Sequence, residues 1–365
     1  MINVDFDNYI YFPTLRTRQA ELRGLKELDK QRKKQILPLL TLGRWPKASN
    51  FEVAAEKAKE AMINLPYLID LTSDASHLGD QQKKLRNPEN YFSAWRAFVT
   101  TYENAIPVIQ FVPDAKSRDE VKQAQSFENE IGKLAFRIKD FSSDTIKVIK
   151  ALSAIDDLKN AVVFIDCGYI RETFSAYLTA SINTINTLRS EFPELMIVIL
   201  STSFPASTIQ FADSTKKRGS IGILERDFHE RIGGDNVAAY GDHSSIHSVV
   251  YDEFSKALWV PRIDFPSERI WYFERRPRDT FKDQDTEVAY ISAAKAILES
   301  NTDLGNKDIW GEQQIIDAAN GKPYAKAPAS WIAVRVNIHL ARQLDFSLAQ
   351  KQMNNSDEPD DDYEW

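Results

Sequence analysis

The sequence predicts an α/β protein of the (β/α)8, TIM-like barrel class, with a C-terminal β-hairpin and helical extension. Three observations predict it. Apolar runs of strand length alternate with helix-period segments eight times in about 240 residues, the arithmetic of that barrel. Several runs are almost continuously apolar, as strands covered on both faces are. The rival, an open doubly wound sheet, announces itself by a glycine-rich first turn, and Leu15-Arg-Thr-Arg18 contains no glycine.

The clearest unit is Ala161-Val-Val-Phe-Ile-Asp-Cys167, which leads through a helical pattern (Arg171 to Phe192) to Met196-Ile-Val-Ile-Leu200. In chain order, strands are read at Tyr9–Leu15, Ile36–Leu42, Leu65–Leu71, Ile106–Val112, Lys133–Lys139, Ala161–Cys167, Met196–Ser203 and Val237–Asp242. Helix faces lie between them. Leu22, Leu25 and Leu28 mark the first, Phe51, Ala55, Ala58 and Met62 the second, and Trp95, Phe98, Val99 and Tyr102 the third. Val121, Ala124 and Phe127 follow the fourth strand, Ile146, Ile149 and Leu152 the fifth, and Phe174, Tyr177, Leu178 and Ile182 the sixth. Leu224, Phe228 and Ile232 precede the eighth. The connection from Thr72 to Asn90 is long and polar, the character of a lid, a partner surface or a disordered insertion.

Beyond the eighth strand the period changes. Leu258–Asp264 and Arg269–Glu274 alternate around Phe265-Pro-Ser-Glu268 and read as a hairpin. Helices are read at Asp285–Ser300, Glu312–Ala319 and Ser330–Leu344. The organisation is therefore a barrel at 1–245, an extension packed on it at 246–348, and a disordered acidic tail at 349–365.

Composition excludes several classes. With 43% hydrophobic and 27% charged residues the chain is globular, and no run of apolar residues is long enough for a membrane span. The lone Cys167 forbids an internal disulfide, and Met1 to Asp7 is no secretory signal, which points to the cytoplasm. Net charge is -7, but six acids fall within Asp357–Trp365. Without them the body is close to neutral, and nucleic acid is an unlikely partner. The tail is either solubilising or an acidic docking peptide anchored by Tyr363 and Trp365.

Ligands of a barrel meet the C-terminal strand ends. The polar residues there are Asp70, Gln110, Arg137, Lys139, Asp140, Asp166, Ser201, Ser203, Asp242 and His243. Asp166 and Asp242 are the candidate catalytic carboxylates, with His243 beside them, and a carboxylate pair can hold a cation or divide acid and base roles. Arg137 offers a fork for phosphate or carboxylate; alternatively, these groups form a salt-bridged plug. Gly219-Ser-Ile-Gly222 precedes a helix as phosphate-binding turns do, or is a plain turn. Arg335 shares a helix face with Trp331 and His339; it either completes the mouth, if that helix crosses it, or caps a carboxylate on an interface helix whose Trp331 enters the core. His243 and His247 have the spacing of a helical zinc pair but no third ligand, so no metal is assigned and the cofactor stays unknown. Cys167 reads as a buried thiol or a nucleophile, and Arg275-Arg276-Pro-Arg278 as a solvated hairpin end or a phosphate contact.

Several stretches resemble the beta-protein family, named for a gene of a satellite bacteriophage. They are Tyr11-Phe-Pro-Thr-Leu-Arg16 with Glu21-Leu22 and Ile36-Leu-Pro-Leu-Leu40, then Tyr240-Gly-Asp-His243, then Trp310-Gly-Glu-Gln-Gln-Ile-Ile316 with Trp331 to His339. The resemblance spans about residues 9 to 345 and implies a component of phage or prophage gene clusters that defend a bacterium against other phages. There it would act as a regulatory or neutralising partner of a protein encoded in the same cluster. It implies no catalytic residues. The alternative from the residues is a metal-assisted barrel hydrolase or phosphodiesterase acting on a phosphate-bearing small molecule or nucleotide. Oligomeric state is not legible.

Overall fold

In the computed structural model, residues 2, 4–48, 50–73, 79–249, 260–277, 286–301, 303–305 and 308–356 are described. The eight expected strands form one parallel sheet: β1 (Phe12–Arg16), β2 (Leu39–Leu42), β3 (Tyr67–Leu71), β4 (Ala105–Pro107), β5 (Leu134–Ile138), β6 (Ala161–Tyr169), β7 (Met196–Thr202) and β9 (Ala239–Asp242). Their spatial order is β4-β3-β2-β1-β9-β7-β6-β5. A parallel bridge between Val108 and Ala135, with Ile109 N–H donating to Ala135 at 2.8 Å, joins the two ends into a barrel. Among the described residues this closure leaves the eight-stranded sheet no open edge.

Strand parity sorts the side chains. Phe12, Leu39, Leu68, Ile106, Val108, Ala135, Val162, Phe164, Val198 and Leu200 point inward and fill the lower barrel. A short 3-10 turn, Phe6–Asn8, puts Phe6 into that cluster and closes the bottom. The opposite parity (Tyr11, Leu15, Leu40, Ile69, Phe136, Ile165, Ile199, Tyr240) packs on the helices. Those helices are α1 (Gln19–Lys26), α2 (Lys30–Lys33), α3 (Glu52–Met62), α4 (Asp80–Leu85), α5 (Glu89–Val99), α6 (Ser117–Ile131), α7 (Ser143–Leu152), α8 (Phe174–Glu191) and α9 (Leu224–Ile232). The long polar connection after β3 thus contains α4; its residues 74–78 lie outside the described set.

Between β7 and β9 the chain adds β8 (Arg218–Gly222), which pairs antiparallel with the hairpin β10 (Arg262–Pro266) and β11 (Ile270–Arg275). Helices α10 (Thr286–Ser300), α11 (Trp310–Ala319) and α12 (Pro328–Ser356) follow. Helix α12 packs on α1, on α11 and on β10, and reaches α9 through Arg226, which donates to Gln343 and Ser347. From Ala333 to Leu344 every residue of α12 is buried. The acidic residues 357–365 lie outside the described set.

Candidate functional site

Inward parity carries Thr14 and Arg16 of β1, Thr41 of β2, Asp70 of β3, Arg137 of β5 and Asp166 of β6 above the apolar plug, at the C-terminal mouth. Arg16, Thr41 and Asp70 are register partners across three strands. The Arg137 guanidinium sits at the centre. Its Nε and Nη2 donate to Asp166 Oδ2 at 3.0 and 2.6 Å, and its Nη1 to Asp70 Oδ2 at 2.8 Å and Thr41 Oγ1 at 3.0 Å. Asp70 Oδ1 accepts from Gln110 Nε2 at 3.0 Å. Asp166 Oδ1 accepts from His243 Nε2 at 2.8 Å and from the Gly168 amide at 2.9 Å. Gly168 lies where the β6 ladder shifts register, at φ +60, so the bulge turns its amide back on the carboxylate. Burial alone would raise Asp166; His243 and Arg137 outweigh it and hold the carboxyl well below the usual range. Asp70 is lowered in the same way, against burial, by Arg137 and then Lys139.

Above this floor lies a cavity of about 330 Å³. Its wall holds Arg16, Arg18, Arg44, Arg137 and Lys139, the hydroxyls of Thr14, Thr17, Thr41, Thr72, Ser73 and Ser248, and His243. Among the described residues Glu21 is the single acid in the lining. It accepts from the Arg16 amide at 2.6 Å, and burial raises its carboxyl. The Arg16 side chain donates to the carbonyls of His247 and Ser248 and ties down the segment after β9. Lys139 stands exposed on the wall. The wall can therefore neutralise an anion with several cations while hydroxyls bind its neutral oxygens.

The sequence profile described as Beta protein matches residues 11–345. A relative, "Protein beta" of Enterobacteria phage P4, is 44% identical over 360 residues, covering 98% of this chain and 99% of that protein. The chain belongs to the Beta protein family. A crystal structure of fructose-bisphosphate aldolase from Campylobacter jejuni aligns with 95% of this chain and 91% of that one, at 10% identity and a TM-score of 0.28, too low to inform fold or function.

In this Beta protein family member, the stretches that carry the resemblance meet in space, but not all of them at the mouth. Arg16 and His243 line the cavity. Asp242, expected to face Asp166, points to the opposite side of the sheet. There it accepts from Tyr11 Oη at 2.5 Å, Tyr240 Oη at 2.9 Å and His339 Nε2 at 2.8 Å. Burial opposes its ionisation, yet the His339 charge and these hydrogen bonds hold Asp242 at about 2. The two aspartates share no site, so they cannot jointly hold a metal or divide acid and base roles. Among the described residues no group of three or more His, Cys, Asp or Glu is placed to bind a metal ion.

Arg335 does not cross the mouth. It lies outside the barrel, donating to Asp264 of β10 at 2.9 Å with its guanidinium over the Phe204 ring. Gly219 and Gly222 form no turn; they belong to strand β8. A Cβ at Gly219 would fall 2.2 Å from the Phe211 carbonyl oxygen and 2.5 Å from the Phe273 ring, so close packing explains that glycine. His243 and His247 lie in a turn through Ser244 and Ser245, both at positive φ, and the His247 ring packs tilted against Tyr169, centroids 4.6 Å apart. Ser203 binds Glu225, Asp140 caps α7 through Ser142 and Ser143, and Arg276 binds Ser292 and Glu274. Cys167 is a buried thiol beside Ser181, and burial pushes it up to about 12. Arg278 lies outside the described residues.

Sequence reasoning missed Arg16, Arg18 and Arg44. Thr14 and Arg16 carried a usable signal, since they alternate along a strand whose inward parity Phe12 sets. Arg44, on a loop, carried none.

Proposed function

We propose that this Beta protein family member binds a small phosphate-bearing anion at its barrel mouth. One observation carries the reading: with Arg137 already paired to Asp70 and Asp166, four further cationic side chains (Arg16, Arg18, Arg44 and Lys139) stand around Glu21 on the wall of a half-open cavity in a chain of net charge -7. So local a gathering of positive charge favours an anion, and the cavity is the size of a metabolite. Nucleic acid fits poorly, because the cations converge in a pocket instead of tracking a groove.

Calorimetry with inorganic phosphate and small phosphomonoesters, against chloride at matched ionic strength, tests it. Phosphate should bind, and Arg18→Gln or Arg44→Gln should each weaken binding about tenfold. Binding no stronger than that of chloride would sink the reading.

A second reading places such a ligand within regulation. The phage origin of the 44% identical relative favours a member of a phage-encoded defence cluster, cytoplasmic, that neutralises a protein encoded beside it. Among the described residues no helix is long and apolar enough to cross a membrane. Co-purification of one stoichiometric protein from cells carrying the intact cluster would support this reading; recovery of the chain alone would count against it.

A further inference from the structure

Lys139 follows β5 by one residue and lines the cavity beside Arg137 and His243. Among the described residues its ammonium makes no hydrogen bond or ion pair. The two carboxylates of the floor are already committed, Asp70 to Arg137 and Gln110, Asp166 to Arg137 and His243. An amine thus stands next to a fixed guanidinium, on the wall of a cavity, with no counter-ion of its own. Like charge from Arg137 first, and partial loss of water second, push the ammonium below the usual lysine range. Arg86 adds to this, and Asp70 and Asp166 oppose it. An accessible amine on a cavity wall, beside a fixed cation that disfavours its charged form, is the arrangement that makes lysine a nucleophile toward carbonyl groups.

We propose that Lys139 forms a Schiff base with an aldehyde or ketone that carries a phosphate group. The substrate class rests on the anion-binding reading above. The neutral Lys139 amine attacks the carbonyl carbon, and a proton moves from its nitrogen to the carbonyl oxygen to give a carbinolamine. The C–O bond then breaks, water leaves, and a C=N bond to Lys139 remains. Atoms balance without any oxidant or reductant. His243 lines the same cavity with its Nε2 held by Asp166, so a proton passed to the departing hydroxyl would come from its other ring nitrogen, Nδ1. The resulting iminium is an electron sink, so enolisation or carbon–carbon cleavage next to the former carbonyl is the reaction class it would serve.

The test incubates the full chain with limiting glyceraldehyde 3-phosphate and cyanoborohydride, then maps modified lysines by peptide mass spectrometry. Lys139 should label ahead of surface lysines such as Lys57, and inorganic phosphate should slow it. Lys139→Arg, which keeps the charge, should remove that adduct and leave the circular dichroism spectrum unchanged. Label spread over surface lysines without preference for Lys139 would overturn the proposal, even if calorimetry shows phosphate binding; anion recognition would then stand alone. Preferential labelling that neither free phosphate nor removal of the probe's phosphate affects would keep the nucleophile and overturn the anionic substrate class.

Discussion

At the scale of residues, the molecule buries charges inside sets of hydrogen-bonding partners. Arg137 between Asp70 and Asp166 is one case, and Asp242 beneath Tyr11, Tyr240 and His339 is another. Asp242 makes a prediction with a definite sign. Its folded carboxyl, at about 2, lies below the ordinary 3.8, so the stabilisation is present above about pH 4 and is lost as pH falls through about 2. The size is about 2 kcal/mol. Urea titrations at pH 5 and pH 2 should show Asp242→Asn losing less stability on acidification than the native chain; an equal loss would mean that Asp242 carries none of it. At this scale the sequence was partly legible. Asp70, Gln110, Arg137, Asp166 and His243 do gather at the mouth, because strand parity is local. Asp242 was misread because β9, like its neighbours, is covered on both faces, so hydropathy does not mark which parity points inward.

At the scale of elements, α12 is the instructive case. An amphipathic helix shows a stripe, whereas a helix buried all round does not, and its role has to be inferred from its polar partners. Here the buried polar residues answer several elements. Arg335 meets β10 and His339 meets β9. Arg342 meets Glu312 of α11 and Gln343 meets Arg226 of α9. Asn337 joins α11 to α1, accepting from the Gly311 amide at 2.8 Å and donating to the Gly24 carbonyl at 3.0 Å. Both glycines are there for contact: a Cβ on Gly24 would lie 2.8 Å from the Ala333 carbonyl oxygen, and one on Gly311 2.7 Å from that of Val334. Asn337→Leu should therefore cost about 1–3 kcal/mol, through two buried backbone groups left unpaired. Chemical denaturation checks it, and an unchanged midpoint would mean water replaces the side chain.

At the scale of the whole molecule, α12 stands against α1 and reaches α9, closing the ring of helices around the barrel, although the hairpin, α10 and α11 separate it from the last barrel strand. A chain ending at Ala327 should lose near-ultraviolet circular dichroism and cooperative unfolding, because Asp242, Asp264, Glu312 and Arg226 would lose buried partners together. Retained cooperative unfolding would show that the barrel stands without it. By itself the sequence determined the barrel, its eight strands in order, and the polar floor of its mouth, since each follows from periodicity within a dozen residues. Tertiary structure alone decided that Asp242 turns outward to Tyr11, 231 residues away in sequence, that the residues around Gly219 form a strand, and that arginines from a strand end and two loops surround one cavity. Those outcomes depend on register and on long-range closure, and no local pattern of residues encodes either.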